Sequence, residues 1–201
     1  MNAGKLFVVA TPIGNFQDIT LRALEVLRSV DGIICEEYRM GSTLLKKLGI
    51  PEKPLLTLNE HNEQEQSGVI LLRLQRGENF ALISDCGTPG FEDPGAHLVA
   101  EALQQGILVS PLPGPSSLMA AISISPVPLK EFYFAGFLPR KDEERLSRLR
   151  HLNALRLPII LMDTPYRLTK LLQETESIFG KNRPAMLALD VSLRGELILF
   201  A

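Results

Sequence analysis

Phe80-Ala81-Leu82-Ile83-Ser84-Asp85-Cys86-Gly87-Thr88-Pro89-Gly90-Phe91-Glu92-Asp93-Pro94-Gly95 is an apolar run that breaks into a loop. From Ser84 to Gly95 the loop holds three glycines and two prolines in twelve residues, so it neither continues a strand nor begins an ordinary helix. A strand ending this way sets backbone amides and the Asp85 carboxylate at the carboxyl edge of a sheet, which is where open α/β folds bind ligands. Taken alone, the loop reads equally well as a surface turn. Two more of its kind change that reading: Ala10-Thr11-Pro12-Ile13-Gly14-Asn15 follows Leu6-Phe7-Val8-Val9, and Pro111-Leu112-Pro113-Gly114-Pro115-Ser116-Ser117 follows Ile107-Leu108-Val109. Three strands that each finish in a stiff loop point to one shared cleft.

Around these loops, strand-like runs at Leu6 to Ala10, Gly32 to Cys35, Phe80 to Ser84 and Ile107 to Leu112 alternate with helical patterns. The helices read as Ile19 to Val30, with Leu24 and Leu27 inward and Asp18 or Thr20 as cap, then Ser42 to Leu48, Glu63 to Gln75 and Pro94 to Gln105. This alternation predicts an α/β fold with a mostly parallel sheet covered on both sides. After Pro115 come a helix from Ser116 to about Ser123, a strand at Phe132 to Ala135, a basic helix, strands near Leu157 to Met162, Ala185 to Leu189 and Glu196 to Phe200, and a helix from Tyr166 to Phe179. Two α/β domains are therefore expected, residues 1–112 and 113–201, parted in the Pro111 to Pro115 linker. The second is left open to being incomplete, because the chain stops inside or just after a strand at Ala201.

Several function classes fall away. No Gly-x-Gly-x-x-Gly follows the first strand and no P-loop pattern occurs, so an ordinary dinucleotide or P-loop site is not indicated. Gly114-Pro115-Ser116-Ser117 is not the Gly-x-Ser-x-Gly elbow of a hydrolase. Cys35 and Cys86 stand far apart, and His61, His97 and His151 lack ligand spacing, so no metal centre is expected. The absence of a signal pattern or long apolar span leads to the expectation of a cytoplasmic protein with no membrane role.

Net charge is −2 over 201 residues, which argues against a protein that coats nucleic acid. The charge is uneven, however. Between Arg140 and Arg156 six basic residues (Arg140, Lys141, Arg145, Arg148, Arg150 and Arg156) face three acids gathered at Asp142, Glu143 and Glu144. That pattern fits a helix with an acidic first turn and a buried stripe of Leu146, Leu149 and Leu152. Its exposed side is either a solvated face or a phosphate-contacting surface, and Arg140, Lys141, Arg145 and Arg148 are the candidate RNA contacts.

Taken together these stretches resemble the tetrapyrrole methylase superfamily, and within it the ribosomal RNA small subunit methyltransferase I family. The resemblance is carried by Ala10 to Asn15 with Asp18-Ile19-Thr20-Leu21-Arg22-Ala23-Leu24, by Glu60-His61-Asn62-Glu63, and by the loops at Ser84 to Gly95 and Pro111 to Ser116. It continues through Gly136-Phe137-Leu138-Pro139-Arg140-Lys141 and Thr164-Pro165-Tyr166-Arg167. It implies two α/β domains with S-adenosylmethionine in the cleft between them, no metal, and a homodimer. It also implies methyl transfer to the ribose 2′-hydroxyl of a cytidine in small-subunit (16S) ribosomal RNA, within the 30S subunit. Cofactor contacts carried over by motif fall on Pro12, Asp85, Thr88, Ser116, Ser117, Met162 and Leu189. The chain departs from the family pattern at Glu36-Glu37-Tyr38-Arg39, where Glu-Asp-Thr-Arg is usual, and at Asp190-Val191-Ser192-Leu193, where Glu-Leu-Thr-Lys is expected.

Methyl transfer from a sulfonium is an in-line displacement that needs alignment and exclusion of water. A ribose hydroxyl also gains from a general base or a cation near the developing alkoxide. Glu36, Glu37, Glu60 and Asp85 are the candidate bases, and Arg39 the candidate stabiliser or phosphate anchor. Asp85 reads alternatively as a loop cap, and Ser116 and Ser117 as helix caps. His61 is a helix-entry polar residue before it is a proton shuttle. The competing functions are a small-molecule methylase of the same superfamily and a cofactor-retaining, RNA- or ribosome-binding protein without turnover.

Overall fold

The computed structural model describes residues 3–90 and 93–201. Phe91 and Glu92, within the Ser84 to Gly95 loop, lie outside the described residues. The chain forms two compact units, one running through Ala120 and taking in Asp190–Gly195, the other Ala121–Leu189 with Glu196–Ala201.

In the first unit β1 (Lys5–Val9), β2 (Gly32–Cys35), β3 (Leu55–Thr57), β4 (Phe80–Ile83) and β5 (Leu108–Leu112) form a parallel sheet ordered β3-β2-β4-β1-β5. β2 and β4 are buried at every residue, as continuous apolar strands covered on both faces must be. Alternate side chains go to opposite faces. Ile33, Cys35, Ala81 and Ile83 pack against Ala23 and Leu27 of α1 (Leu21–Ser29) and Leu44 and Leu45 of α2 (Tyr38–Lys47). Ile34, Phe80 and Leu82 pack against Ile70, Leu71 and Leu74 of α3 (Glu63–Gln75) and Leu98 and Ala102 of α4 (Ala96–Gln104).

The α/β expectation holds, with local differences. The helix cap at α1 is Thr20, whose hydroxyl accepts from the Ala23 amide at 3.1 Å, while Asp18 accepts a hydrogen bond from the Ser192 hydroxyl. α2 begins at Tyr38, not Ser42. β3 is too short for an alternating pattern to announce it.

The second unit contains the parallel pair β6 (Tyr133–Phe137) and β7 (Ile159–Met162), the antiparallel pair β8 (Met186–Leu189) and β9 (Leu197–Phe200), and helices α6 (Asp142–Ala154) and α7 (Leu168–Phe179). Its buried core is small, centred on Leu138, Leu149, Leu152 and Leu171. A short helix, α5 (Ser117–Ser123), spans the division. The units part beyond the Pro111 to Pro115 linker because that linker is tied to the first unit: the Thr88 hydroxyl donates to the Pro115 carbonyl at 2.9 Å.

Candidate functional site

Because β2, β4, β1 and β5 are sheet neighbours, the loops at their carboxyl ends emerge side by side. Thr11, 1% exposed, joins the first two: its amide donates to the Gly87 carbonyl at 2.8 Å, and its hydroxyl lies 2.9 Å from the Ser84 carbonyl and 3.3 Å from that of Gly87. Thr88 joins the β4 loop to the β5 loop through Pro115. Gly87 has φ +87°, a conformation that side chains rarely adopt, and a Cβ there would stand 3.1 Å from Ile13 Cγ2. Gly114 lets the β5 loop pass against β1, since a Cβ at that position would sit 2.9 Å from Ala10 Cβ. Three candidate cofactor positions, Pro12, Asp85 and Thr88, thus belong to one cross-braced set of loops.

Within this set the Asp85 Oδ1 atom is buried with no hydrogen-bond partner among the described residues. Burial raises the Asp85 carboxyl above its ordinary range, and the charges of Glu37 and Asp93 add to this, offset in part by a hydrogen bond from the Glu37 backbone. An enclosed carboxylate oxygen without a donor costs free energy, a cost that an N–H or O–H brought to it would remove. The loop-cap alternative for Asp85 finds no support at this oxygen. Ser116 does act as a cap, its Oγ accepting from the Met119 amide at 3.3 Å, and Ser117, half-buried, opens α5.

Glu36 follows β2 at the same edge. The residue is exposed, and partial desolvation of its carboxyl, then the like charges of Asp85, Asp93, Glu60 and Glu37, raise it above the usual range. Glu37 precedes α2 without making a side-chain cap. Arg39 is exposed on α2, and Glu60 points to solvent at 86% exposure, 3.6 Å from His61 Nε2. The Cys35 thiol, buried at the end of β2, is pushed up to about 11 by burial and by Asp85, which leaves it protonated and inert at neutral pH.

Met162 and Leu189, the remaining cofactor candidates, are half-buried at the ends of β7 and β8 in the second unit. The basic helix forms with its three acids in the first turn, but its exposed face is not the one expected. Arg145 is 4% exposed and takes the place given to Leu146 in the buried stripe. Its guanidinium donates to Glu174 at 2.6 and 2.8 Å, to Asp142 at 2.8 Å and to the carbonyls of Pro139 and Arg140. The expected RNA contact at Arg145 is therefore corrected: five acceptor contacts leave it no donor for a phosphate. Arg148 stacks 5.5 Å over the Tyr133 ring and donates to its hydroxyl at 2.8 Å. Lys141 is exposed and pairs with Glu144 at 3.1 Å, and Arg140 is exposed.

Two features escape the sequence reading. The Glu63 carboxylate accepts from the amides of Gly95 and His97 at 2.7 and 3.2 Å, so it closes the far end of the β4 loop and offsets the start of α4. Asp190–Gly195 belongs to the first unit, with Leu193 packed so tightly on Gly14 that a Cβ at Gly14 would meet its Cδ2 at 2.8 Å. Neither involves a local signal: the first partner is 32 positions away in the chain.

Residues 5–201 match the Tetrapyrrole (Corrin/Porphyrin) Methylases family. Ribosomal RNA small subunit methyltransferase I of Pseudomonas aeruginosa is 46% identical over 98% of this chain and 70% of its own length. The protein of the same name from Xylella fastidiosa is 43% identical over 98% of this chain and 71% of its length. A crystal structure of diphthine synthase, at 16% identity, superposes with a TM-score of 0.72 over 98% of this chain and 80% of that one, a likeness of fold. With its parallel sheet and braced loops accounted for, the chain belongs to the tetrapyrrole methylase family, the methyltransferase family to which its sequence is matched along nearly its whole length.

Proposed function

We propose that this chain is an S-adenosylmethionine-dependent methyltransferase acting on the 2′-hydroxyl of a cytidine ribose in the small-subunit (16S) ribosomal RNA of the 30S subunit, in the cytoplasm and as a homodimer. The observation that carries the cofactor is the donor-less Asp85 Oδ1 in the braced β4 loop, since the amino-acid end of S-adenosylmethionine and its ribose both offer N–H or O–H donors. The RNA substrate is supported by the names of the relatives, and the homodimer by family resemblance alone.

S-adenosylmethionine supplies an electrophilic methyl group on a sulfonium, so its leaving group is a neutral thioether. Asp85 would accept from the cofactor's donors, and Pro12 and Thr88 would hold the loops against which it lies. Ser116 and Ser117, Met162 and Leu189 complete the proposed set. Glu36 and Asp85 both have raised proton affinity; with Asp85 assigned to the cofactor, Glu36 is left as the base that takes the proton from a ribose hydroxyl as the carbon–oxygen bond forms. Glu37 and Glu60 keep the local potential negative around it, which sustains that affinity. Arg39 on α2 is the cation available to the alkoxide or an adjoining phosphate.

Incubation with methyl-labelled cofactor and 30S subunits from cells lacking this protein tests the reading. Label recovered as 2′-O-methylcytidine in small-subunit RNA is the expected result. Label entering a porphyrinoid acceptor and no RNA would transfer the function to the small-molecule branch. Cofactor binding with no transfer to either would leave the non-turnover reading.

A further inference from the structure

A cavity of about 200 Å³ lies wholly within the second unit, between the start of α6 and the start of α7. Its charges do not cancel. Lys170 Nζ pairs with Asp142 at 2.6 Å, Arg167 Nε pairs with Asp163 at 3.2 Å, and the buried Arg145 in the same wall is matched by Glu174. Arg140 also lines the cavity, is exposed, and has no acidic partner among the described residues. One positive charge is therefore left over, the complement of one phosphodiester and not of a dianionic phosphate.

Two further observations point to a ligand. The Asp163 side chain is 3% exposed, and although its Oδ1 accepts from Arg167 and from the Thr164 amide, its Oδ2 is enclosed with no donor among the described residues. In the same turn Tyr166 stands 98% exposed, an aromatic ring with none of its surface used in packing. The cavity holds on the order of half a dozen waters by volume, room for a phosphodiester and a ribose edge. The exposed ring beside it offers a stacking platform for the attached base.

We infer that the cavity lined by Arg140 and Asp163, with Tyr166 in the adjoining turn and outside the lining, is a subsite for one nucleotide of a single-stranded RNA: Arg140, with the free donors of Arg167 and Lys170, takes the phosphodiester, Asp163 Oδ2 takes a ribose hydroxyl, and Tyr166 stacks the base. This rests on the RNA reading above and adds to it a recognition point on the α6–α7 end of the second unit. It also moves the expected contact away from Arg145, whose five donors are all used.

The test measures binding to 30S subunits over a salt series, with wild type, Arg140→Gln, Tyr166→Ala and, as control, Arg150→Gln, an exposed position on α6 outside the cavity. Tyr166→Ala should weaken binding about tenfold, the size of one lost base–aromatic stack. Arg140→Gln should reduce the magnitude of the log–log salt slope by about 0.7. Arg150→Gln should match wild type, and S-adenosylhomocysteine affinity and melting temperature should stay unchanged in all three. A short oligoribocytidylate should compete for the subsite better than its deoxyribose counterpart, and inorganic phosphate should not compete. Wild-type binding that Arg140→Gln and Tyr166→Ala both reproduce would overturn the subsite alone, as would equal competition by inorganic phosphate. Failure of wild type to bind or methylate 30S subunits would overturn the RNA reading on which the subsite rests.

Discussion

Asp85 in the first unit and Arg145 in the second are both charged side chains drawn out of water, and they are treated in opposite ways. Arg145 is surrounded by two carboxylates and two carbonyls, and these contacts, chiefly the hydrogen bonds of Glu174 and Asp142, raise its proton affinity still further. Asp85 keeps an oxygen with no donor among the described residues, and burial raises its carboxyl. A buried charge whose every donor is used is part of the framework. One left incomplete stores a cost that a ligand can remove. The contrast separates a charge that is fully satisfied within the fold from one that is not, which counting charges along the chain does not do.

The sharpest way to break this contrast is to remove the satisfied group. Arg145→Ala strips Glu174, 14% exposed, of its main partner, and loss of one member of a buried pair costs about 3–5 kcal/mol. Denaturant titration should show that loss, with RNA binding falling only as far as the second unit unfolds. A variant as stable as wild type, but deficient in RNA binding, would restore Arg145 to the role of a phosphate contact.

Next in size is the bracing of the first unit. Thr11→Val keeps the shape but leaves the Ser84 carbonyl without its hydroxyl donor, a cost of about 1–3 kcal/mol. Melting temperature and S-adenosylhomocysteine affinity should fall together if the braced loops form the cofactor floor. A fall in stability with unchanged affinity would separate the brace from the site.

The smallest effect concerns pH. Glu36 and Asp85 hold protons more tightly in the folded chain than their ordinary values allow. The folded state thus binds more protons than the unfolded one between the ordinary and the raised values, and stability falls as pH rises through that window. Glu36→Gln should flatten the fall, leaving stability unchanged well below the carboxylate range and slightly higher near neutrality. Parallel melting curves for both proteins at every pH would show that the carboxylates do not interact.

Sequence alone resolved the elements whose signals are local. α3 begins and ends at the residues expected from its acidic start and apolar spacing, and β2 at the bounds of its apolar run. What it missed depends on partners distant in the chain. Arg145 looked like an exposed cation because Glu174 is 29 positions away, and Glu63 gave no hint that it closes the β4 loop. The division between units moved past the proline linker for the same reason, since Thr88 binds Pro115 from 27 positions upstream. Asp85 was legible as a candidate from its loop, but only the fold reveals that one of its oxygens lacks a donor.

That oxygen also offers the most direct test of the account. Isothermal titration of S-adenosylhomocysteine into wild type and Asp85→Ala should show saturable binding by the former and a loss of about tenfold or more in the latter, the size of a lost hydrogen bond to a charged group. Melting temperature without ligand reads a separate quantity, because the variant also loses the hydrogen bond from the Glu37 backbone. Equal dissociation constants for the two proteins would contradict the claim that the β4 loop is built around a cofactor.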